Sequence, residues 1–187
     1  MTDAAWSFAE YQPDAATQAP LDVVLREATH ADVAGLAVLQ AEARGGDTER
    51  WAAQIGKGVE DEQRLVVVAE VRGELAGYAN AAYLPEHPRD HSPAGYYLTG
   101  VTVAPRLRRR GVGTLLTRHR MAWVLERDRY VWCFVSAANR ASLDLHRELG
   151  FSIVRSGSAF QGVGFAAGDG FLLRASGPGG PPRAVRP

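Results

Sequence analysis

The sequence has almost no cysteine and no excess of either charge. Cys133 is the only cysteine in 187 residues, which excludes an internal disulfide and a cysteine-based metal cluster and fits a reducing compartment. Basic and acidic residues number 21 each, so a general attraction to nucleic acids or membranes is not indicated. The five histidines show no metal-ligand spacing. We therefore expect no metal, no nucleic-acid partner and no membrane partner.

Long apolar runs and internal repeats are also missing. The first twenty residues carry acidic side chains and no apolar segment, unlike a secretory signal, and no run approaches the length of a membrane span. With 46% hydrophobic residues, the chain fits one soluble domain with a sizeable core. We expect a cytoplasmic protein with a flexible arm at 1–20, one domain at 21–174 and a disordered Gly/Pro-rich tail at 175–187.

Hydrophobic patterning predicts an α/β domain. Strands are expected at 21–28, 64–71, 75–84, 96–103, 130–135, 151–155 and 171–174. The β-branched run at 64–71 predicts a central strand, joined to the next as a hairpin. Helices are expected from 33, from 48, over 112–127 and from the cap Asn139 to Leu149. The inner face of the third helix is predicted to hold Val112, Leu115, Leu116, His119, Ala122 and Trp123.

The stretch 97–113, YLTGVTVAPRLRRRGVG, contains a strand, a proline, a basic turn, two glycines and a helix start. Free N–H groups and the helix dipole favour an anion there, and Gly111 and Gly113 allow close approach of a ligand. A dinucleotide fingerprint does not fit, because Leu116 occupies the third glycine position. A P-loop does not fit either, because Gly58 follows Gly56-Lys57. The alternatives are a phosphate-binding junction and a solvated basic turn.

On these residues the sequence resembles the GNAT superfamily of N-acetyltransferases. The family signature, Arg or Gln, two residues, Gly, one residue, Gly or Ala, is matched by residues 108–113, and 103–105 form the preceding V-x-P. Asn139, followed by a helix ending in Leu149-Gly150-Phe151, is a second landmark. The resemblance covers about 21–174. It implies a mixed, mostly antiparallel sheet of six to seven strands with about four helices, in which the strands of Val101 and Phe134 splay apart around a thioester.

The resemblance also implies acetyl-CoA as co-substrate. Its pyrophosphate would lie at the glycine turn and helix start, its pantetheine arm along the backbone of the preceding strand, and its thioester near Asn139. The implied cofactor-binding residues are Val101, Val103, Arg108, Arg109, Arg110, Gly111, Val112, Gly113, Thr114 and Asn139.

Acetyl transfer needs an uncharged amine, and deprotonating an amine of pKa near 10.4 costs roughly 4 to 5 kcal/mol at neutral pH, so a base is expected. Some members of that family have a glutamate as the base at the position of Thr99, and a threonine cannot act as a base. Candidate bases are Glu86 and its loop neighbours His87, Asp90 and His91, together with Glu70. The family tyrosine that protonates the thiolate corresponds to His146, which can act as the acid or only pack.

The expected catalytic residues are thus His146, Glu86 and Asn139, and the expected acceptor contacts are Trp51, Tyr83, Tyr97 and Thr99. The sequence predicts direct transfer to a primary amine of a small molecule, without a covalent enzyme intermediate. Two alternatives stay open, namely a protein or peptide acceptor and a non-catalytic acyl-CoA-binding regulatory module. A homodimer is suggested by family analogy only.

Overall fold

The computed structural model describes residues 21–165 and 168–177. Within these ranges the chain forms four α-helices, a seven-stranded sheet and a two-stranded ribbon. The strands are β1 Val24–Glu27, β2 Arg64–Val71, β3 Glu74–Leu84, β4 Gly95–Val103, β5 Tyr130–Ser136, β6 Ser152–Gly157, β7 Ala159–Phe160, β8 Val163–Gly164 and β9 Gly170–Ser176, and the helices are α1 Val33–Arg44, α2 Thr48–Glu60, α3 Val112–Leu125 and α4 Arg140–Glu148. The predicted arm at 1–20 lies outside the described residues.

The main sheet runs β1-β2-β3-β4-β5-β9-β6, and only the β4–β5 pair is parallel. This confirms the predicted mixed, mostly antiparallel sheet. The predicted central position of β2 was wrong, because β2 lies second from the edge. Helices cover both of its faces even there, which is what its apolar run reflects. Strand β9 continues to Ser176, beyond the expected domain limit, and residues 178–187 lie outside the described part.

The β2–β3 connection is a two-residue turn in which Arg72 and Gly73 have φ values of 53° and 77°. Two positive φ values in sequence form the type I′ turn, whose twist matches that of paired strands. The predicted hairpin is therefore confirmed.

Helices α1 and α2 cover one face of the sheet and pack on Val66, Val68 and Tyr78. Helix α3 covers the other face, with Leu116 and Val124 in the core that includes Val67. The buried residues of α3 are Val112, Leu116, Thr117, Arg120 and Val124. The predicted inner face was wrong for Leu115 and Ala122, which are exposed, because a buried arginine and threonine are invisible to a pattern based on hydrophobicity.

Strands β4 and β5 separate soon after they begin. They pair only at Tyr96 with Val131 and at Tyr97 with Trp132, which confirms the splayed strand pair. On its other side β4 carries a bulge, because Leu98 pairs with Ala81 and Val101 with Ala79, so that residues 99–100 oppose one residue of β3. The bulge therefore lies beside the opening of the sheet.

Candidate active site

The separation of β4 and β5 creates a cavity of about 590 Å³, called the slot below. Residues 98–101 of β4 and 133–136 of β5 form its walls, residues 163–165 of the β7–β8 ribbon cover it, and Arg44, Arg120, Asn139, Ser142 and His146 complete it. The ribbon was not predictable from the sequence, because strands of two residues leave no detectable pattern. The slot combines apolar walls with a polar end at α4.

A second cavity of about 480 Å³ lies beneath α1 and α2 and is called the polar cavity. Arg44, Thr99, Gly100 and Val101 line both spaces. The remaining lining comes from Gln40, Trp51, Gln54, Ile55, Lys57, Gly58, Asp61, Arg64, Tyr78, Asn80 and Thr102. The two cavities thus adjoin at the β4 bulge, where one molecule in the slot and another in the polar cavity would meet.

Thr99 stands at this junction with an unsatisfied hydroxyl. Its Oγ1 is buried and has no hydrogen-bond partner among the described residues. Buried polar atoms of this kind are uncommon and need a partner such as a ligand. The predicted acceptor contact at Thr99 is therefore placed where a ligand can be bound, although a hydroxyl cannot serve as a base at neutral pH.

The start of α3 offers free backbone donors. Its cap Gly111 has φ 83°, and the N–H of Leu115 donates to Gly111 at 3.0 Å, so the N–H groups of Val112, Gly113 and Thr114 precede the helical ladder. A Cβ on Gly113 would approach only Val103 Cγ2, at 3.9 Å. The space over this helix start is thus open to an anion such as a phosphate.

The arginines of the preceding turn differ in their surroundings. Arg106 is bound to Glu74, with 3.0 Å between Nη2 and Oε2, and so faces the β2–β3 hairpin. Arg108 and Arg109 are exposed, and Arg109 has a left-handed φ of 61°. The signature arginines at 108–110 therefore stay the predicted phosphate contacts.

His146 is 7% exposed on α4 and lines the slot. Its Nδ1 lies 2.7 Å from the carbonyl oxygen of Ser142. Because a carbonyl only accepts hydrogen bonds, Nδ1 carries the hydrogen and Nε2 of the neutral ring is an acceptor. Burial lowers the pKa of His146, which favours this neutral form. The ring must therefore gain a proton at Nε2 before it can act as the predicted acid.

Asn139 caps α4 and also lines the slot. Its Oδ1 accepts a hydrogen bond from the N–H of Ser142 at 3.2 Å, so the predicted cap is confirmed. The helix ends at Glu148, and Gly150, two residues later, has a φ of 88°, the left-handed conformation that commonly follows a helix end. A contact between Asn139 and a thioester stays a prediction.

Arg120 was missed by the sequence analysis. It is 2% exposed, and its Nη1 donates to the carbonyl oxygens of Asn80 and Gly100, each at 2.9 Å. The other donors reach Thr117 Oγ1 at 3.0 Å and Leu116 O at 3.2 Å, so all of these acceptors are neutral. Burial lowers the pKa of Arg120 to about 10, which still leaves it charged at pH 7. A buried cation therefore holds α3 against the β4 bulge. Arg120 lies four and eight residues after the buried Leu116 and Val112, and this helical spacing is the sequence feature that could have indicated its burial.

The floor of the polar cavity is a hydrogen-bonded triad. Tyr78 Oη and Thr102 Oγ1 both donate to Gln40 Oε1, at 2.9 and 2.6 Å. Burial raises the pKa of Tyr78 to about 12, so its hydroxyl stays protonated. Trp51 also lines this cavity, and its Nε1 donates to Gly45 O at 2.9 Å; its contact with an acceptor stays a prediction.

Tyr83 and Tyr97 line neither cavity. Tyr97 is fully buried, with its hydroxyl donating to Pro93 O at 2.7 Å. Tyr83 is 42% exposed and lies edge-on to Tyr96. Both belong to the part of the sheet where strands are still paired, so no opening lies beside them. Their expected acceptor contacts have no support from the structure.

The candidate bases also lie outside both cavities. Glu86 is 68% exposed and 3.8 Å from His91, so a proton could reach it only through water. Asp90 anchors the β7–β8 ribbon, with its Oδ2 2.8 Å from His87 Nδ1 and 2.9 Å from the N–H of Gly162. Although burial raises the pKa of Asp90, hydrogen bonds from Ser92 and Gly162 outweigh it and lower the pKa to about 2.

Glu70 is likewise engaged elsewhere, because Arg26 Nε donates to its Oε1 at 3.1 Å. Among the described residues, Asp61 is the one acidic side chain that lines either cavity. Asp61 was not among the predicted site residues, since it lies in the α2–β2 connection and belongs to no motif. No described group of three or more His, Cys, Asp and Glu side chains is placed to hold a metal, and no helix in the described ranges could cross a membrane.

Comparison with known proteins agrees with this arrangement. The streptothricin acetyltransferase of Streptomyces lavendulae is 29% identical over 109 residues, which is 57% of this chain and 54% of the relative. The match therefore spans about half the length of that curated relative.

Two solved structures share the fold. The ribosomal-protein-alanine N-acetyltransferase of Brucella melitensis is 27% identical, with a TM-score of 0.64 over 82% of this chain and 99% of that one. A protein from Salmonella typhimurium, solved with its cofactor acetyl-CoA, is 20% identical, with a TM-score of 0.63 over 82% and 93% of the two chains.

The family model for the acetyltransferase (GNAT) family matches residues 24–151. This range contains the splayed strands, the α3 start and α4. The chain belongs to the acetyltransferase (GNAT) family.

Proposed function

We propose that this protein transfers the acetyl group of acetyl-CoA directly to a primary amine of a small molecule. The observation that carries the proposal is the meeting of the slot and the polar cavity at the β4 bulge, beside the unsatisfied Thr99 hydroxyl. When bound, acetyl-CoA supplies a thioester acetyl group and leaves as a thiol. The name of the Streptomyces relative, which gives streptothricin as its acceptor, also favours a small molecule.

The residues fit the cofactor at both ends. The free N–H groups of 112–114 and the arginines at 108–110 would hold the pyrophosphate. Beyond Tyr97 the β4 edge is not paired with β5, which leaves main-chain groups for the pantetheine arm. Arg44 Nη2 donates to Val101 O at 3.1 Å. If the pantetheine arm also bonded to this oxygen, Arg44 would move away or share the oxygen with it. The N–H of Val101 can donate to the acetyl oxygen.

Proton movement is assigned to His146. Its Nε2 would accept the proton released by the amine and would pass it to the departing thiolate, which reconciles an acid role with a ring that is neutral at rest. Cys133 also lines the slot, but burial raises the pKa of its thiol. A thiol that stays protonated is a poor nucleophile, which favours direct transfer over an acetyl-cysteine intermediate.

Thiol release from acetyl-CoA, measured over a panel of small amines and N-terminal peptides, tests the function. We expect turnover with small amines and a lower kcat/KM with peptides, because the polar cavity of about 480 Å³ has the size of a small-molecule site. A preference for peptides would support the Brucella-like alternative. Tight acetyl-CoA binding without turnover on any amine would contradict the enzyme assignment and support a regulatory module.

The His146→Phe variant is expected to slow turnover by about 100-fold, a usual size for a lost proton-transfer group. The Kd for acetyl-CoA should change little, because Phe retains the ring against Phe151. Steady-state kinetics measure the change in kcat, and calorimetry measures the Kd for acetyl-CoA. His119→Phe, on α3 and lining neither cavity, is the matched control. Unchanged kcat in His146→Phe would remove His146 from the mechanism.

The same variant has a pH signature in stability. The folded-state pKa of His146 is lowered from 6.5, so on acidification the unfolded chain binds this proton first. The wild type should lose stability as the pH falls through 6.5 toward the folded pKa, and His146→Phe should lack that component. Urea unfolding of both proteins across this range measures it.

A further inference from the structure

The polar cavity is richer in positive than in negative side chains. Arg44, Lys57 and Arg64 line it against the single carboxylate of Asp61. The whole chain has equal numbers of basic and acidic residues, so the excess belongs to this site and not to the overall composition. A ligand held here experiences a net positive field.

Arg64 provides the most specific observation. Its Nε is buried without a hydrogen-bond partner among the described residues. The nearest carboxylate oxygen, Asp61 Oδ2, lies 3.6 Å away, beyond hydrogen-bond distance, and Asp61 Oδ1 accepts from the N–H of Gln63 at 2.9 Å. A buried guanidinium donor is therefore left for an oxygen that the described residues do not supply.

The other groups of the cavity do not favour a simple cationic amine. Both hydroxyls of the floor, Tyr78 and Thr102, already donate to Gln40. Three cationic side chains and one carboxylate line this cavity, and the like charges would repel a bound ammonium group. A molecule that combines an amine with an anion would use the cations instead.

We propose that the acceptor is an amine that carries a carboxylate or a similar anionic group, bound by Arg64 and Lys57 with its nitrogen toward Thr99. This rests on the proposed function and names its substrate class. The same cations lower the pKa of a bound amine. They thereby favour the uncharged nucleophile in a site where the predicted carboxylate bases do not reach.

Matched substrate pairs test the proposal. β-Alanine, γ-aminobutyrate, δ-aminovalerate, leucine and phenylalanine are each compared with the corresponding carboxamide at fixed acetyl-CoA. In the ω-amino acids the carboxylate is far from the amine and changes the amine pKa little. Their comparison therefore reports recognition of the charge itself. We expect kcat/KM to favour at least one carboxylate by about tenfold or more, the usual size of a charge-assisted hydrogen bond. Equal or better turnover of all amides would overturn the inference while leaving the acetyltransferase function intact.

Arg64→Met should abolish that preference without changing the Kd for acetyl-CoA, and Arg64→Lys should restore part of it. Arg129→Met removes a charge from a residue that lines neither cavity and should behave as wild type. Calorimetric binding of the preferred carboxylate without acetyl-CoA gives a readout independent of turnover. Binding that depends on Arg64 in a protein inactive on every amine would support the anion site and sink the proposed function. Weaker acetyl-CoA binding with an unchanged substrate preference would assign these cations to the cofactor and overturn the inference.

Discussion

The Arg120→Met variant should lose about 3 kcal/mol of unfolding free energy, because buried acceptors left without donors cost about 1 to 3 kcal/mol each. The carbonyl oxygens of Asn80 and Gly100 receive their hydrogen bonds from one guanidinium nitrogen. These atoms belong to the β-bulge, where the regular ladder between β3 and β4 is broken. Methionine fills similar space and donates nothing.

Turnover should fall by more than about tenfold in the same variant, because a small misplacement of reacting groups is costly. Gly100 lines both cavities and Arg120 lines the slot, so relaxation of the bulge moves the junction of the two spaces. Arg120 is in this respect a positioning residue. Urea unfolding and steady-state kinetics, both at a temperature where the variant is folded, measure the two losses.

Two further variants separate positioning from folding. Arg120→Lys keeps the charge but cannot reproduce the planar fork, and we expect partial rescue of kcat. Thr117→Val removes the Oγ1 that accepts from Arg120 Nη2 while leaving both bulge contacts, and should cost less in both measurements. An Arg120→Met protein with wild-type kcat would show that the bulge holds its shape without the arginine, and wild-type stability would contradict the estimated cost.

The second large effect is expected at the start of α3. Gly113→Trp should weaken acetyl-CoA binding by more than about 100-fold, because charge-assisted hydrogen bonds to a phosphate contribute about 1.5 to 3 kcal/mol each and several are lost together. The indole would occupy the open space over the free N–H groups of 112–114. Calorimetry with CoA and with acetyl-CoA measures the loss.

The backbone has room for a side chain at this position, since a Cβ on Gly113 meets only Val103 Cγ2 at 3.9 Å. Gly113→Ala should therefore bind acetyl-CoA with a smaller loss. Ala122→Trp places the same side chain at an exposed position of the same helix, remote from its start, and controls for the added surface. Tight acetyl-CoA binding by Gly113→Trp would refute the assignment of the phosphate end.

The order of elements was predictable where neighbouring residues alone set the backbone. The Arg72-Gly73 turn, the Asn139 cap and the left-handed Gly150 after α4 each depend on the local conformations that those residues favour. The start of α3, where the phosphate site is proposed, belongs to this class, because N–H groups outside the helical ladder and glycine conformations are properties of a few consecutive residues.

The inner lining was not predictable in the same way. Tyr97 and Thr99 belong to one strand, yet one is enclosed in a core and the other stands between two cavities. The difference arises where β4 leaves β5 and bulges against β3, which depends on pairing between residues far apart in the chain. Patterns along a strand cannot show that register.

The sequence by itself determined the family, through the motifs at 103–113 and 139–151, and the order of the main-sheet strands and the helices along the chain. That order follows from apolar periodicity and local backbone preferences. Only the tertiary structure decided that Arg120 is buried under the bulge, that Tyr83 and Tyr97 lie away from both cavities, and that Arg64 and Asp61 line the polar cavity. The physical reason is that the environment of a charged or aromatic side chain is set by long-range packing, and the same residue type is stable in water or in a core that satisfies its hydrogen bonds.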